Sequence, residues 1–423
     1  MDAFELIASL TTLAAVFSWI NHRFIRLPTA IGLMVISLLF SLGLVALGAL
    51  GILPRAELLR SVAELDFGRT LLHGMLGALL FAGALHVDLN DLAAQSRIIA
   101  LLATLGVLLS TALVGAATWG VFDALGVGLP FLTCLVFGAL IAPTDPIAVL
   151  AILKRSGIPD SLKTKISGES LFNDGIGVVV FLVLVAVATG GGEVSVGGTA
   201  LLFAEEVLGG LLFGLVIGWI AYRMLKSVDQ YPVEILITLA VVTGGYALAQ
   251  RLHVSGPLAM VVAGLLIGNH GRSFAMSERT REHLDSFWEL VDEFLNALLF
   301  VMIGLEVIVL RFSGTLLLAG AAAIPIVLAA RFTSVGLPVL ILRRVRAFSP
   351  HAVKLMAWGG LRGGISVALA LSLPAAPERS VLLAVTYVVV CFSIIGQGLT
   401  IAPLAARLYP VASGSDATRS PET

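Results

Sequence analysis

The sequence contains few charged residues. Only 13% of its 423 residues are Asp, Glu, Lys or Arg, whereas a typical soluble domain has about 25%. The 26 basic and 27 acidic side chains nearly cancel, to a formal net charge of -1, so we expect no nucleic-acid partner. With 58% hydrophobic residues and a mean hydropathy of +1.02, the composition excludes an ordinary soluble domain and indicates an integral membrane protein.

Cysteine is also scarce. Cys134 and Cys391 are the only two, far apart and both within apolar runs, which argues against a disulfide framework or a thiolate metal site. The sequence also contains no phosphate-binding loop and no nucleophile elbow. We therefore expect neither a cofactor nor an enzymatic activity. The first residues lack a basic region, so we interpret the first apolar stretch as a retained helix and not as a cleaved signal peptide.

The chain contains many apolar stretches long enough to cross a bilayer. We count about thirteen and predict an all-α polytopic membrane protein. They lie at about 4–20, 29–50, 69–87, 98–122, 129–153, 164–189, 200–224, 232–250, 255–270, 288–310, 313–342, 350–373 and 380–408. We divide the transmembrane domain, 1–410, into a first repeat at about 4–189, a linker helix at about 200–224 and a second repeat at about 232–408. The polar segment 411–423 is predicted to be a disordered tail.

The basic residues give an independent check on the number of spans. When the connections alternate between the two sides of the membrane, about 18 Lys and Arg residues fall on one side and about six on the other. Basic residues concentrate on the cytoplasmic side, and a wrong span count would mix the two sets. We therefore predict a multi-pass protein of the cell (inner) membrane with a cytoplasmic C-terminus.

Two spans contain residues that interrupt a helix. In the first, Pro143 and Pro146 remove helix donors and push the residues before them out of the α region. In the second, Gly360 and Gly363 belong to a run of four glycines that surrounds Arg362. With thirteen spans, each break falls in the fifth span of an inverted six-helix unit, and interrupted helices at corresponding positions indicate a transporter's central site.

The most polar helix interior extends over Ser167–Gly175. Ser170 and Asp174 are four residues apart and share one face, whereas Glu169 and Asn173 share a neighbouring face. Acids within the membrane are costly and indicate function by default. The spacing therefore assigns different roles to Glu169 and Asp174.

The first face is predicted to point at the break near Thr144 and Asp145. Two carboxylates from Asp145 and Asp174, with hydroxyls from Thr144 and Ser170, would form an all-oxygen site suited to a hard cation such as Na+. Burial and like charge both favour protonation of one carboxyl group in such a pair. A proton and a monovalent cation would then compete for the same oxygens.

Two arginines lie within predicted spans. We predict that Arg331 is the counter-charge of Glu169, because arginine suits a buried pair of fixed geometry, although Arg362 remains an alternative partner. Arg362 is also placed to balance the ends of the crossed half-helices. Asp292 and Glu293 begin a span, so we expect them to be solvated at the membrane interface.

Three motifs in this order resemble those of the sodium/proton exchanger superfamily, in its NhaP-type, monovalent cation:proton antiporter-1 branch. They are Thr144-Asp145-Pro146, Gly168–Gly175 and Gly360-Leu361-Arg362-Gly363. The resemblance covers all of the chain except the tail. It implies a core domain and a dimerisation domain that move as an elevator, and a homodimer.

The resemblance also implies roles for individual residues. Asp145 and Asp174 would bind the ion, with Thr144 and Ser170 as further ligands, and Glu169 would pair with an arginine of the eleventh helix. Asn173 directly before Asp174 would accompany electroneutral exchange. The chain departs from many relatives at Ala82, where they have an acid after the phenylalanine of the third helix.

The sequence thus predicts electroneutral exchange of Na+ (or Li+) for H+. K+/H+ exchange by the same mechanism is the main alternative, because selectivity depends on cavity geometry. A passive cation channel and an intramembrane aspartyl protease fit less well, the latter because the sequence has no Gly-x-Gly-Asp run.

Overall fold

The computed structural model describes residues 3–52, 74–145, 157–190, 196–310, 313–343 and 348–410, and these residues are almost entirely helical. We number the helices in chain order. They are α1 (Ala3–Ile20), α2 (Thr29–Ala49), α3 (Leu76–Leu85), α4 (Leu89–Ala124), α5 (Phe131–Leu140), α6 (Asp160–Thr189), α7 (Val196–Leu225), α8 (Tyr231–Arg251), α9 (Gly256–Gly271), α10 (Glu278–Glu306), α11 (Gly314–Leu342), α12 (Ala352–Trp358), α13 (Gly364–Leu371) and α14 (Pro377–Leu408).

The helices match the predicted spans. Within the described residues, seven helical segments are long and apolar enough to cross a membrane, and α3, α5 and α9 are shorter apolar helices. Each of the thirteen predicted spans overlaps at least one of the helices α1 to α14. Helices satisfy their own backbone hydrogen bonds, which hydrocarbon requires. The all-α polytopic fold predicted from the sequence is confirmed.

The helices pack in two sets. One set, which we call the site group, comprises α4, α5, α6 and α11 to α14, packed mainly on one another. The other, the flanking group, comprises α1 to α3 and α7 to α10, in which α2 packs on α10 and α9 packs on both α3 and α7. The two groups meet mainly where α6 contacts α7 and α9, and also where α2 contacts α14 and α10 contacts α13. Much of α7 is exposed, as expected for a helix that faces lipid.

The site group is interrupted at two places in mid-span. After α5 ends at Leu140, the chain continues in non-helical conformation to Asp145, and the chain between α12 and α13 is also non-helical. Asp145 forms an isolated antiparallel bridge with Leu361, in which the Asp145 amide donates to the Leu361 carbonyl at 2.8 Å. Both predicted interruptions are therefore present, and the two unwound segments cross.

Some predictions concern residues outside the described ranges. These are the helix-breaking role of Pro146, the remainder of the fifth span at 147–153, the start of the third span at 69–73 and the tail at 411–423.

Candidate functional site

The crossing of the unwound segments depends on glycine. A Cβ atom at Gly363 would lie 2.7 Å from Oδ2 of Asp145, and one at Gly177 of α6 would lie 2.7 Å from Cγ of Pro143. Real Cβ atoms essentially never approach heavy atoms so closely. Because these two positions lack a side chain, α6 and the Gly363 segment both pack directly against the segment that contains Asp145.

Asp145 and Asp174 line the same cavity. It has a volume of about 60 Å³ and lies between α3, α6, α10 and the two unwound segments, which is enough for a few water molecules or a partly hydrated monovalent cation. Asp174 is buried, and its Oδ1 has no hydrogen-bond partner within the described part of the chain. An unpaired buried carboxylate is costly unless a proton or a cation neutralises it.

Two hydroxyl groups lie beside the carboxylates. Thr144 Oγ1 and Ser170 Oγ are 3.1 Å apart, and the Ser170 hydroxyl also donates to the main-chain carbonyl of Thr144. Both residues are buried. The structure therefore brings together the four residues that were predicted to form an oxygen site: Asp145, Asp174, Thr144 and Ser170.

Asn173 connects the unwound segment to α6. Its Oδ1 accepts a hydrogen bond from the Thr144 amide at 3.2 Å, and its Nδ2 donates to Thr144 Oγ1 at 2.8 Å and to Glu169 Oε1 at 3.4 Å. The helical spacing placed Asn173 on the face of Glu169, away from Ser170. The structure shows that the amide group spans both faces and reaches Thr144 as well.

Glu169 pairs with Arg331 of α11. The guanidinium group donates to both carboxylate oxygens, at 2.5 Å to Oε1 and 2.8 Å to Oε2, and both residues are buried. A Cβ atom at Gly360 would lie 2.5 Å from Arg331 Nε, so the glycine leaves room for this pair. A bidentate, desolvated pair of this kind fixes the distance between two helices.

Arg362 has a different role. Its guanidinium group donates to the main-chain carbonyls of Ala142 at 2.5 Å and Pro143 at 2.9 Å, which follow the C-terminal end of α5. No helical donor in the described part of the chain reaches these carbonyls, and a cation is favourable at the negative end of a helix. Arg362, which lies in the second interruption, therefore stabilises the first one. This agrees with the prediction that it balances the ends of the crossed half-helices.

Ser393 and Gln397 of α14 hold the second unwound segment. Ser393 Oγ accepts a hydrogen bond from the Arg362 amide at 2.7 Å and donates to Gln397 Oε1 at 2.6 Å, and Gln397 Nε2 donates to the Trp358 carbonyl at 2.8 Å. Neither residue was among those predicted from the sequence. Polar side chains four residues apart within an apolar span were the signal that could have found them.

Helix α3 contributes only apolar side chains and a glycine to the cavity: Leu76, Leu79, Leu80 and Gly83. Ala82 is buried and has only a methyl side chain, so this position supplies no side-chain oxygen ligand. No group of three or more His, Cys, Asp or Glu residues in the described ranges could hold a metal ion. The arrangement offers two carboxylates and two hydroxyls, an all-oxygen set that suits a hard cation.

The family model for the transmembrane sodium/hydrogen exchangers matches residues 11–407. The chain belongs to this family. It is 50% identical over 410 residues to the Na(+)/H(+) antiporter NhaP of Pseudomonas aeruginosa, an alignment that covers 96% of this chain and 97% of that protein. It is 36% identical to the Na(+)/H(+) antiporter NhaH of Halobacillus dabanensis, over 91% of this chain and 93% of the relative. The resemblance to the NhaP-type branch is confirmed.

The structure is also similar to a solved one. The sodium proton antiporter MjNhaP1 from Methanocaldococcus jannaschii superposes with a TM-score of 0.75 over 96% of this chain and 98% of that chain, at 18% sequence identity. At this identity the similarity shows that the two chains share a fold.

Proposed function

We propose that the protein exchanges one Na+ (or Li+) for one H+ across the cell membrane, electroneutrally and by alternating access. The observation that carries this proposal is that Asp145 and Asp174 line one small cavity at the crossing of two unwound segments. The curated relatives that cover nearly the whole chain are named Na(+)/H(+) antiporters, which supports the same conclusion. The protein needs no cofactor; its partners are the two transported ions and, we propose, a second copy of the chain.

Competition between the two ions follows from the cavity's chemistry. Among the described residues, no group hydrogen-bonds to Oδ1 of Asp174, and Asp145 places a second carboxylate in the same cavity. Either a proton or a cation relieves the repulsion between two carboxylates in a medium of low polarity. The Thr144 and Ser170 oxygens complete the cation's coordination. Since both ions use the same oxygens, binding of one displaces the other.

The cost of moving the site without a bound ion couples the movement of Na+ to that of H+. A site with two negatively charged carboxylates and no bound ion is expensive to move through the apolar barrier between the two sides of the membrane. Occupancy by either ion removes much of that cost, and a ligand shifts a conformational equilibrium only through such a difference between states. We propose that the site group moves relative to the flanking group, and that only the loaded site makes the movement.

The other buried charged residues stabilise the geometry of the site. Arg331 neutralises Glu169 through two hydrogen bonds, and the Arg362 guanidinium group contacts main-chain carbonyls next to the site. A permanently charged arginine cannot relay protons. The exchanged proton is therefore assigned to the Asp145–Asp174 pair.

Proteoliposomes with an imposed pH gradient test the proposal. Na+ and Li+ should dissipate the gradient, and Asp174→Asn should abolish the response, whereas Glu205→Gln, an exposed carboxyl group on α7, should retain it. An imposed membrane potential should not drive transport by the wild-type protein. Absence of a response to Na+, Li+ and K+ refutes the antiporter function, and a response to K+ alone favours K+/H+ exchange.

A further inference from the structure

Helix α10 of the flanking group presents one polar side chain, that of Asn296, toward the cavity. Asp292, Asn296 and Leu299 follow one another at helical spacings of four and three residues and so share one face. Asn296 and Leu299 line the cavity together with Asp145 and Asp174. Glu293 faces elsewhere and lines a separate recess beside α1. One face of α10 therefore forms a wall of the ion site, although α10 does not belong to the helices that carry the aspartates.

Asn296 has an oxygen available at this wall. The residue is only 8% exposed, and its Nδ2 donates to the main-chain carbonyl of Asp292 at 2.9 Å. No donor among the described residues is hydrogen-bonded to its Oδ1. Amide oxygens are good ligands for hard cations and for the water molecules that such cations retain. Asn296 therefore presents a neutral oxygen ligand opposite the two carboxylates.

Asp292 lies one helical turn before Asn296. Its Oδ1 is buried and has no hydrogen-bond partner within the described ranges, in contrast to the solvated position expected from the sequence. The charged groups that act on it are Asp145, Glu289 and Glu293, all of them acidic. A partly enclosed carboxylate among other acids produces a negative potential that concentrates cations. The solvated position remains correct only for Glu293, which is exposed.

We propose that Asp292 and Asn296 form an approach site for the transported monovalent cation, a site that exists only while the cavity is open to the cytoplasm. This inference rests on the proposed function. The distribution of basic residues assigns the start of α10 to the cytoplasmic side, so Asp292 lies between the cytoplasm and the Asp145–Asp174 pair. The Asp292 carboxylate attracts the cation, and the Asn296 oxygen receives it before the two aspartates bind it.

The location on α10 makes the approach site one-sided. The aspartate pair belongs to the site group, and Asp292 with Asn296 belongs to the flanking group. When one group moves relative to the other, the pair leaves the wall that α10 provides. Cations that enter from the opposite side of the membrane then reach the pair without passing Asp292. A purely structural role for Asp292 would affect both directions alike.

Kinetics measured separately on the two faces test this inference. In everted vesicles, where the cytoplasmic face is outside, Asp292→Asn and Asn296→Ala should each raise the KM for Na+ by about threefold to tenfold without lowering the maximal rate. In right-side-out vesicles the same variants should leave the KM unchanged. Asp292→Glu should restore the cytoplasmic KM, and Glu282→Gln, an exposed acid on the same helix, serves as the matched control.

The dependence of the KM on ionic strength separates an effect of the Asp292 charge from an effect of altered packing. At an alkaline pH, where the Asp292 carboxyl group is ionised, choline chloride should raise the cytoplasmic KM of the wild-type protein, because salt screens the Asp292 charge, and should have less effect on Asp292→Asn. An unchanged cytoplasmic KM in both variants, or an equal change on the two faces, overturns the inference. If instead Asp174→Asn still exchanges ions, the proposed function fails and not only the approach site.

Discussion

Asn173 and Thr144 are joined by two hydrogen bonds of opposite direction. The Asn173 side-chain oxygen accepts from the Thr144 amide, and the Asn173 nitrogen donates to the Thr144 hydroxyl. Only a side chain with both a donor and an acceptor makes both bonds. Asn173, directly before Asp174, therefore holds the unwound segment against α6.

Replacing Asn173 with aspartate should disturb the site. An ionised carboxylate cannot donate to Thr144 Oγ1, and it would place a charge beside Glu169 Oε1, which Asn173 Nδ2 contacts at 3.4 Å. We expect Asn173→Asp to lose about 1–3 kcal/mol of stability and to raise the KM for Na+. Thermal unfolding in detergent and exchange assays measure the two effects. Asn90→Asp, at an exposed position of α4, should change neither, and a variant with wild-type stability and KM would contradict this role for Asn173.

Breaking the Glu169–Arg331 pair should destabilise the protein strongly. Removal of one partner leaves a buried charge without compensation, at a cost of about 3–5 kcal/mol. Glu169→Gln and Arg331→Gln should therefore lower the unfolding temperature much more than Lys163→Gln, which removes an exposed pair with Asp160. The double variant Glu169→Gln/Arg331→Gln should lose less stability than the sum of the single changes. Additive effects would show that the pair does not act as a unit.

A methyl group at Gly363 should displace the Asp145 carboxylate. The added Cβ would lie 2.7 Å from Asp145 Oδ2 and 2.9 Å from Asp145 Cβ, so the side chain has to shift. We expect Gly363→Ala to fold but to bind Na+ several-fold more weakly in exchange assays. Gly336→Ala in α11 is the control, because its nearest neighbour would be a side-chain atom at 3.7 Å. Equal KM values for the two variants would show that the position of Asp145 does not govern cation binding.

Acidification should weaken cation binding. The carboxylates bind the cation only in their charged form, so a proton competes with Na+ for the site. The KM for Na+ should rise as the pH falls, approaching about tenfold per pH unit once the site is mostly protonated, while the maximal rate at saturating Na+ stays constant. Initial rates over a matrix of pH and Na+ concentration measure this dependence. A maximal rate that falls with pH at unchanged KM would point to a regulatory proton elsewhere.

The helical fold and both interruptions could be predicted from the sequence, for local reasons. Apolar runs of spanning length specify helices, and Pro143 before Thr144 and the four glycines around Arg362 weaken a helix locally. The antiparallel bridge between Asp145 and Leu361 could not be predicted, because it joins segments that are distant in sequence and depends on how the helices pack.

The candidate site could also be predicted only in part. Helical spacing alone separated the faces of Glu169 and Ser170, and the scarcity of intramembrane charge made Arg331 the preferred partner of Glu169. Helical spacing did not show that Asn173 reaches Thr144, because this contact depends on how closely the unwound segment approaches α6. Asp292 was placed in solvent because it begins a span, whereas packing encloses one of its oxygens.

Proton release on cation binding tests the central claim most directly. Purified protein in weakly buffered detergent solution, at a pH where the site is protonated, is titrated with NaCl or LiCl, with choline chloride as the control, and the released protons are measured with an indicator dye. The account predicts about one proton released for each cation bound, and none from Asp174→Asn. Cation binding by the wild-type protein without proton release would contradict a shared site at Asp145 and Asp174.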